Sequence, residues 1–403
     1  MTSSTNTLFG LPADVCFCKR CVISNQRPSS TVEFRHTSTE PKRTIGIDSA
    51  GICEACRYAD IKDGHIDWKT REEALLRTLD RFRRSDGSYD VIVPGSGGKD
   101  SAFTSHILKY KYGMNPLTVT WAPHLYTEIG WSNFINWSHV GGHDNILFTP
   151  NGQLHRVLTR LAFVNLLHPF QPFIIGQRII GPLLATKYGV SLVMYGENQA
   201  EYGNSLDENY DPRMNLSFFS TETRESILLG GETINSIINT HGFRPADFAP
   251  YIPPSPASLY DNKTEVHYLG YYLKWDPQEC YYYAVENTGF EANPSRTPGT
   301  YSKYSSIDDK IDMFHYYTTL IKFGIGRATY DASQEVRNGK ISRDEAVALV
   351  HKYDQEFPSD YFDDFLEYIQ IDESLFWKTV DRFRSPHLWG RRDNQWFLKV
   401  QVS

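Results

Sequence analysis

The chain has 403 residues, 40% hydrophobic and 22% charged, with 41 Lys and Arg against 48 Asp and Glu for a net charge of −7. At roughly 150 residues per domain, this is a globular chain of two to three domains rather than a disordered tail. No run approaches the ~18 apolar residues of a membrane span, the opening MTSSTNTLFGLPADVC has no signal-peptide pattern, and the acidic balance disfavours a main role in gripping nucleic acid.

The first fifteen residues are polar and irregular, and partial disorder is expected there. Residues 16–66 are loop-rich and hold five of the six cysteines. The periodicity predicts a helix from Trp68 to Arg84, with Thr70 as its cap and Leu75, Leu76, Leu79 and Phe82 on one face. Strands are predicted at 89–95, 116–121, 145–149 and 190–196. Helices are predicted between them, over 100–112, 129–138, 151–168 and 172–188. Nearly apolar short strands alternating with helices indicate an α/β fold, a parallel sheet covered on both faces. The pattern weakens from 205 to 265. Beyond it, 265–275 reads as a strand, and 307–324 and 341–354 as helices. The tail from 355 reads as mixed and mainly helical. The expected domains are 1–66, a cysteine-bearing module; 67–260, the α/β domain; and 261–403, a mainly helical region for substrate or partner.

Between the first strand and its helix stands Gly95-Ser96-Gly97-Gly98-Lys99-Asp100-Ser101. Glycines let a phosphate approach the backbone, and a helix N-terminus offers free N–H groups and a positive dipole end. Ser96 and Ser101 add hydroxyl donors and Lys99 adds a charge, so the turn is a candidate phosphate site. The spacing is neither a Walker A loop nor a dinucleotide fingerprint. SGGKDS resembles the pyrophosphate loop (PP-loop) of the ATP pyrophosphatase superfamily, also called adenine nucleotide alpha hydrolase-like. There the loop holds the β,γ-phosphates while ATP is cleaved to AMP and pyrophosphate, so the resemblance implies Ser96, Gly97, Gly98, Lys99, Asp100 and Ser101 as pyrophosphate ligands, with Asp100 also placed to hold Mg²⁺.

Cys18-x-x-Cys21 and Cys53-x-x-Cys56 form two knuckles suited to one tetrahedral, structural Zn²⁺ in a zinc-ribbon-like module. Cys16 is a competing ligand, less favoured than the tighter pair. Cys280 stands alone and reads first as a small buried hydrophobe; its other reading is a sulfur carrier. Trp121, Trp131, Trp137 and Tyr281–Tyr283 read as core before they read as sugar platforms. Glu197, Asn198 and Glu201 in YGENQAE follow the fourth strand, at the carboxyl end of the sheet where ligands bind. Glu197 is the candidate for orienting substrate or managing a proton. Lys322 and Arg327, around two glycines, are candidates for a phosphate or carboxylate. Ser342 and Glu345 form a capping box.

Taken together, CKRCVISNQRP with GICEAC, VPGSGGKDS, YGEN and KFGIGRATYDASQEVRNGKISRDEAV resemble the N-acetyl sugar amidotransferase family of lipopolysaccharide O-antigen and flagellin-glycan biosynthesis. The resemblance extends over about residues 16–355. It implies ATP-dependent conversion of an acetamido group on a nucleotide-activated sugar to acetamidino, through an imidoyl-adenylate attacked by ammonia. ATP, Mg²⁺ and structural Zn²⁺ are the implied cofactors, and Lys99, Asp100 and Glu197 the implied catalytic residues. No glutaminase signature is visible, so the resemblance implies glutaminase and ammonia-channelling synthase-like subunits as partners. A cytoplasmic location, with no membrane and no nucleic-acid partner, is expected. Two rivals remain: a PP-loop tRNA-thiolating enzyme using Cys280, and a non-catalytic nucleotide-binding zinc protein.

Overall fold

The structure is a computed structural model and describes residues 7–29, 33–35, 41–203, 210–221, 223 and 227–403. Helix α1 (Glu54–Gly64) starts directly after Cys53, and α2 (Trp68–Phe82) follows. The cap of α2 is Asp67, not Thr70: its carboxylate accepts the Lys69 and Thr70 N–H groups at 3.1 and 3.3 Å, and Thr70 donates its hydroxyl to it. Leu75 and Leu79 are buried, while Leu76 turns outward.

The central unit then runs β1 (Val91–Pro94), α3 (Lys99–Tyr110), β2 (Pro116–Trp121), α4 (Glu128–His139), β3 (Asp144–Phe148), α5 (Gly152–Leu166), α6 (Gln171–Tyr188) and β4 (Leu192–Tyr195). A small hairpin of β5 (Leu228–Leu229) and β6 (Glu232–Thr233), then α7 (Ile234–His241) and α8 (Pro256–Asp261), lead to β7 (Glu265–Tyr268). Five strands form one parallel sheet in the order β3-β2-β1-β4-β7. The chain builds outward through β2 and β3, then returns to the other side of β1. That reversal, between β1 and β4, is the crevice where open parallel sheets bind ligands. The residues of β1 and β2 are buried throughout, as their apolar runs imply. The edge strand β3 leaves Asp144 and Leu147 exposed, whereas the opposite edge strand β7 is buried from Val266 to Tyr268, so cover on both faces fails only at β3.

The strand expected over 265–275 ends at Tyr268. The chain turns into α9 (Leu269–Tyr272), because the Gly270 N–H reaches across to the Gly196 carbonyl at 2.8 Å. After α10 (Pro277–Thr288), α11 (Asp312–Phe323) begins later than its period predicts. The Asp309 carboxylate accepts the His124, Leu125 and Ile311 N–H groups at 2.7, 3.3 and 2.9 Å, which pins the preceding turn to the segment after β2. Helices α12 (Arg327–Arg337) and α13 (Arg343–Tyr353) flank the Asn338-Gly339 turn, and the Ser342–Glu345 capping box is formed. The tail folds as α14 (Phe362–Ile369) and α15 (Glu373–Arg382), then a hairpin of β8 (Trp389–Arg392) and β9 (Gln395–Leu398). The C-terminal region is mainly helical as expected, and the hairpin is an addition at its end. The hairpin turns on Asp393 and Asn394, both at positive φ, the backbone that a two-residue hairpin with right-handed strand twist needs.

One apolar core draws on Leu11, Cys18, Ile92, Phe163, Phe314 and Leu388, so the N-terminal and C-terminal segments share it with the sheet. No described helix is long and apolar enough to cross a membrane. Trp121 and Trp137 are buried as core residues, whereas Trp131 is 45% exposed. Helix α6 lies against β2 so closely that a Cβ on Gly176 would stand 2.2 Å from the Trp121 ring. Gly176→Ala is therefore expected to cost about 1–3 kcal/mol as overpacking, read as a lowered Tm; an unchanged Tm contradicts this packing.

Candidate functional site

The loop after β1 is shaped by close approach. A Cβ on Gly95 would stand 2.1 Å from the Ser101 Cβ. Gly97 has φ +84° and packs on α4, where a Cβ would meet the Phe134 Cα at 2.8 Å. Gly98 then caps α3, with Lys99 as its first residue. Ser96, Gly98, Lys99 and Asp100 line a chamber of about 380 Å³. Ser101 does not: its hydroxyl donates to the Gly98 carbonyl at 3.0 Å, so the expectation of a ligand there is corrected to a brace within the loop. Gly97 serves the turn rather than the wall.

Lys99 and Asp100 form an ion pair within this loop. Burial works against the Lys99 charge, but Asp100 and Glu197 outweigh it and raise its pKa, so the ammonium stays charged. The Asp100 Oδ1 is enclosed without a hydrogen-bond partner among the described residues. An orphaned carboxylate oxygen beside a phosphate loop fits a hard cation such as Mg²⁺. Glu197, just beyond β4, faces the same loop across the crevice. Burial first, and then the Asp100 charge, push its carboxyl up to about 7, with Lys99 partly offsetting them.

Lys99 and Asp100 also open on a second, larger cavity of about 600 Å³, which Glu197 lines as well. Its walls come from three distant parts of the chain. Ile23, Arg27, Ile45 and Ala55 belong to the cysteine-bearing segment, Tyr202 follows β4, and Tyr316, Arg327 and Gln334 come from α11 and α12. The two chambers share Lys99, Asp100, Tyr304, His315, Tyr316 and Arg327, so they meet along that row.

Of the other residues expected at the site, Arg327 lies at that junction. It stacks on Tyr316 at 4.2 Å and pairs with Asp331 at 3.0 Å. The start of α12, and hence Arg327, is held by Asp354, whose carboxylate accepts the Gly326 and Thr329 N–H groups at 2.9 and 2.8 Å. Lys322 lines the cavity wall, but its ammonium is bound by Glu33 and donates to the Leu166 carbonyl at 2.9 Å. Asn198 and Glu201 line neither of these chambers. Asn198 caps the turn Gln199–Tyr202 through the Ala200 N–H at 3.2 Å. Glu201 is buried in an ion pair with Lys62 at 3.0 Å. Their part is to hold Tyr202 and Glu197 in place. Cys280 is 2% exposed, and burial pushes its thiol well above the usual range.

The four cysteines expected to hold metal come together. Their sulfur atoms all lie within 4.8 Å of one another, with Cys18–Cys56 at 3.8 Å and Cys21–Cys53 at 3.7 Å. Zn–S bonds of ~2.3 Å at tetrahedral angles place sulfur atoms about 3.8 Å apart, so this donor set could hold zinc with its coordination closed. The Cys18 sulfur also accepts the Arg20 and Cys53 N–H groups, both at 3.4 Å. Cys16 is exposed and outside the cluster.

The cluster is tied to the cavity by Lys62 on α1. Its buried ammonium donates to Glu201, to the Trp275 carbonyl at 3.0 Å and to the Asn338 side chain at 3.2 Å. Lys62→Met leaves Glu201 buried and unpaired, with an expected loss of about 3–5 kcal/mol in denaturant unfolding. The double variant Lys62→Met with Glu201→Gln is expected to recover part of it; a single variant as stable as the parent contradicts the role.

Arg27, Tyr202, Tyr304, His315, Tyr316 and Gln334 escaped sequence reasoning. No spacing rule connects residue 27 with residue 316; only the shared core brings them together.

A family model described as "LPS biosynthesis protein WbpG-like, C-terminal domain" matches residues 298–401, the part that supplies α11 to α15 and the terminal hairpin. No curated protein matches the chain. Among solved structures, NMN synthetase from Francisella tularensis is similar at 13% identity and a TM-score of 0.29, over 72% of this chain and 93% of that one.

Proposed function

We propose that the chain is an ATP-dependent, AMP-forming amidotransferase that converts an acetamido group of a nucleotide-activated sugar to acetamidino for a bacterial surface glycan. The observation that carries this reading is the glycine-rich loop on the N-terminus of α3, which opens at the strand-order reversal into a chamber continuous with a larger cavity. A 600 Å³ cavity accommodates a ligand larger than a simple metabolite. The matched lipopolysaccharide-biosynthesis model supports a surface-glycan substrate.

An amide oxygen is a poor leaving group. It attacks the α-phosphorus of ATP and pyrophosphate departs, leaving AMP on that oxygen. Ser96, the backbone of Gly98 and the ammonium of Lys99 receive the departing pyrophosphate, where fixed donors are most effective. Mg²⁺, held at Asp100, would neutralise phosphate charge. Glu197, with a carboxyl that titrates near neutrality, takes the amide proton. Ammonia then attacks the carbon and AMP leaves. A glutaminase and a synthase-like subunit are the proposed ammonia source.

The test is product analysis with ATP, Mg²⁺, ammonium and a panel of acetamido sugar nucleotides, including diacetamido uronic and nonulosonic acids. AMP, pyrophosphate and one sugar exchanging O for NH in its mass are expected. ADP and phosphate would overturn the loop assignment. AMP with no sugar converted would turn attention to tRNA, although the burial of Cys280 gives sulfur transfer no support.

A further inference from the structure

The junction of the two chambers is where an adenylated amide carbon and incoming ammonia must meet. Of the titratable groups shared by both chambers, Lys99 is paired with Asp100, and Arg327 with Asp331. The phenols of Tyr304 and Tyr316 are raised by burial and stay protonated. That leaves His315 on α11. Its ring is clamped between aromatic neighbours, with His168 at 5.0 Å and Phe170 at 5.4 Å, both at 23°. Its Nδ1 is enclosed and has no hydrogen-bond partner among the described residues. A buried polar atom left unpaired beside a cavity costs stability, and it is retained where a ligand completes it.

Resting on the function proposed above, we propose that His315 is the proton relay of the second half-reaction, in which ammonia displaces AMP. The groups around it are Asp312, Tyr316 and Lys322 on its own helix, Arg327 on α12, Glu33 of the N-terminal segment, and His168 after α5. Burial, then the charges of Lys322 and Arg327, push its imidazole down to about 3, while Glu33 opposes them. The ring is therefore neutral and carries one donor and one acceptor nitrogen. A neutral imidazole can move a proton without ever becoming a cation. The nitrogen–carbon bond forms. The added nitrogen gives a proton to one ring nitrogen as the other ring nitrogen releases its own to water in the cavity, and the Glu197 carboxyl returns to the sugar-side nitrogen the proton it took in the first half-reaction. The carbon–oxygen bond then breaks, and AMP leaves with the electron pair. Atoms and charge balance, and the ring ends as the other tautomer, which resets through solvent.

The test compares the parent with His315→Gln and with His315→Phe, which keeps the aromatic stack. Three readouts are needed: sugar-dependent ATP–pyrophosphate exchange, amidine formation with ammonium, and amidine formation with methoxyamine, whose protonated adduct is acidic enough to lose its proton to water. Both variants are expected to keep exchange within about five-fold and to lose ammonium-dependent product about 100-fold, while AMP still forms as the intermediate hydrolyses. Methoxyamine is expected to restore most of the loss. Ammonium-dependent rates within about three-fold of the parent overturn the proposal. So does a parallel fall of exchange and product that methoxyamine does not relieve, since that is a structural defect. A parent that forms no AMP with any acetamido sugar overturns the underlying function instead.

Discussion

Lys99→Met is expected to lower AMP and pyrophosphate formation about 10²–10³-fold, or ~2.7–4 kcal/mol of transition-state stabilisation. The side chain sits at the first position of α3, only 15% exposed, and its charge is maintained by Asp100 and Glu197. On the function proposed above, an ammonium so placed would face charge that develops only as pyrophosphate separates. The loss therefore falls on kcat rather than on KM for the sugar. Lys99→Arg is not expected to restore the rate, because a planar guanidinium does not fit the place of a compact point charge. Stability is expected to change little: the partner Asp100 is 36% exposed, so its solvent relieves the lost pair. Steady-state kinetics with a pyrophosphate-coupled assay, beside thermal melts, separates these outcomes. A Lys99→Met variant within tenfold of the parent would remove the loop from the chemistry.

The second large effect is expected at the cysteine cluster. Cys21→Ser, or its equivalent at Cys18, Cys53 or Cys56, is expected to abolish zinc retention and to unfold the segment that contains them. A structural zinc contributes on the order of 10 kcal/mol to the fold it closes, more than the stability of many domains. The consequence reaches the cavity. Ala55 lies between Cys53 and Cys56 and forms part of its wall, as does Ile45. Arg337, on α12, packs beside the same sulfurs: burial works against its charge, and Cys21, Cys56 and Cys53 favour it. Loss of metal is therefore expected to remove sugar turnover along with stability. Cys16→Ser is the control, because that thiol is exposed and outside the cluster. Metal analysis and circular dichroism of both variants decide the matter. A Cys21→Ser protein with full zinc content and a parental Tm would refute the assignment.

Local chemistry explains most of what could be read in advance. The alternation of apolar strands with helices placed the first four sheet strands within a few residues, because strand burial and helix periodicity are written in consecutive residues. The loop 95–101 was legible because strand, glycines and helix start are contiguous, and the two CxxC knuckles because each presents two thiols within a single turn. Errors arose where a distant partner took over a local signal. The strand at 265 stops because Gly270 meets Gly196, and α11 starts late because Asp309 is committed to His124 and Leu125. Glu201 was read as a ligand from its place after β4, and Lys62, 139 positions earlier, claims it instead.

What the sequence determined by itself was the parallel sheet, the glycine-rich loop at the N-terminus of α3 and the close set of four cysteines. Each depends on backbone preference or on ligand spacing within a few residues. The tertiary structure alone decided that the cysteine segment and helices α11 and α12 close a cavity over that loop. It alone placed Arg27, Tyr202, His315 and Tyr316 there, and it turned Ser101, Asn198 and Glu201 to structural tasks. The physical reason is that side chains far apart in the chain meet only when a common apolar core is buried. Which polar group then finds a partner and which is left facing a cavity is settled by that packing.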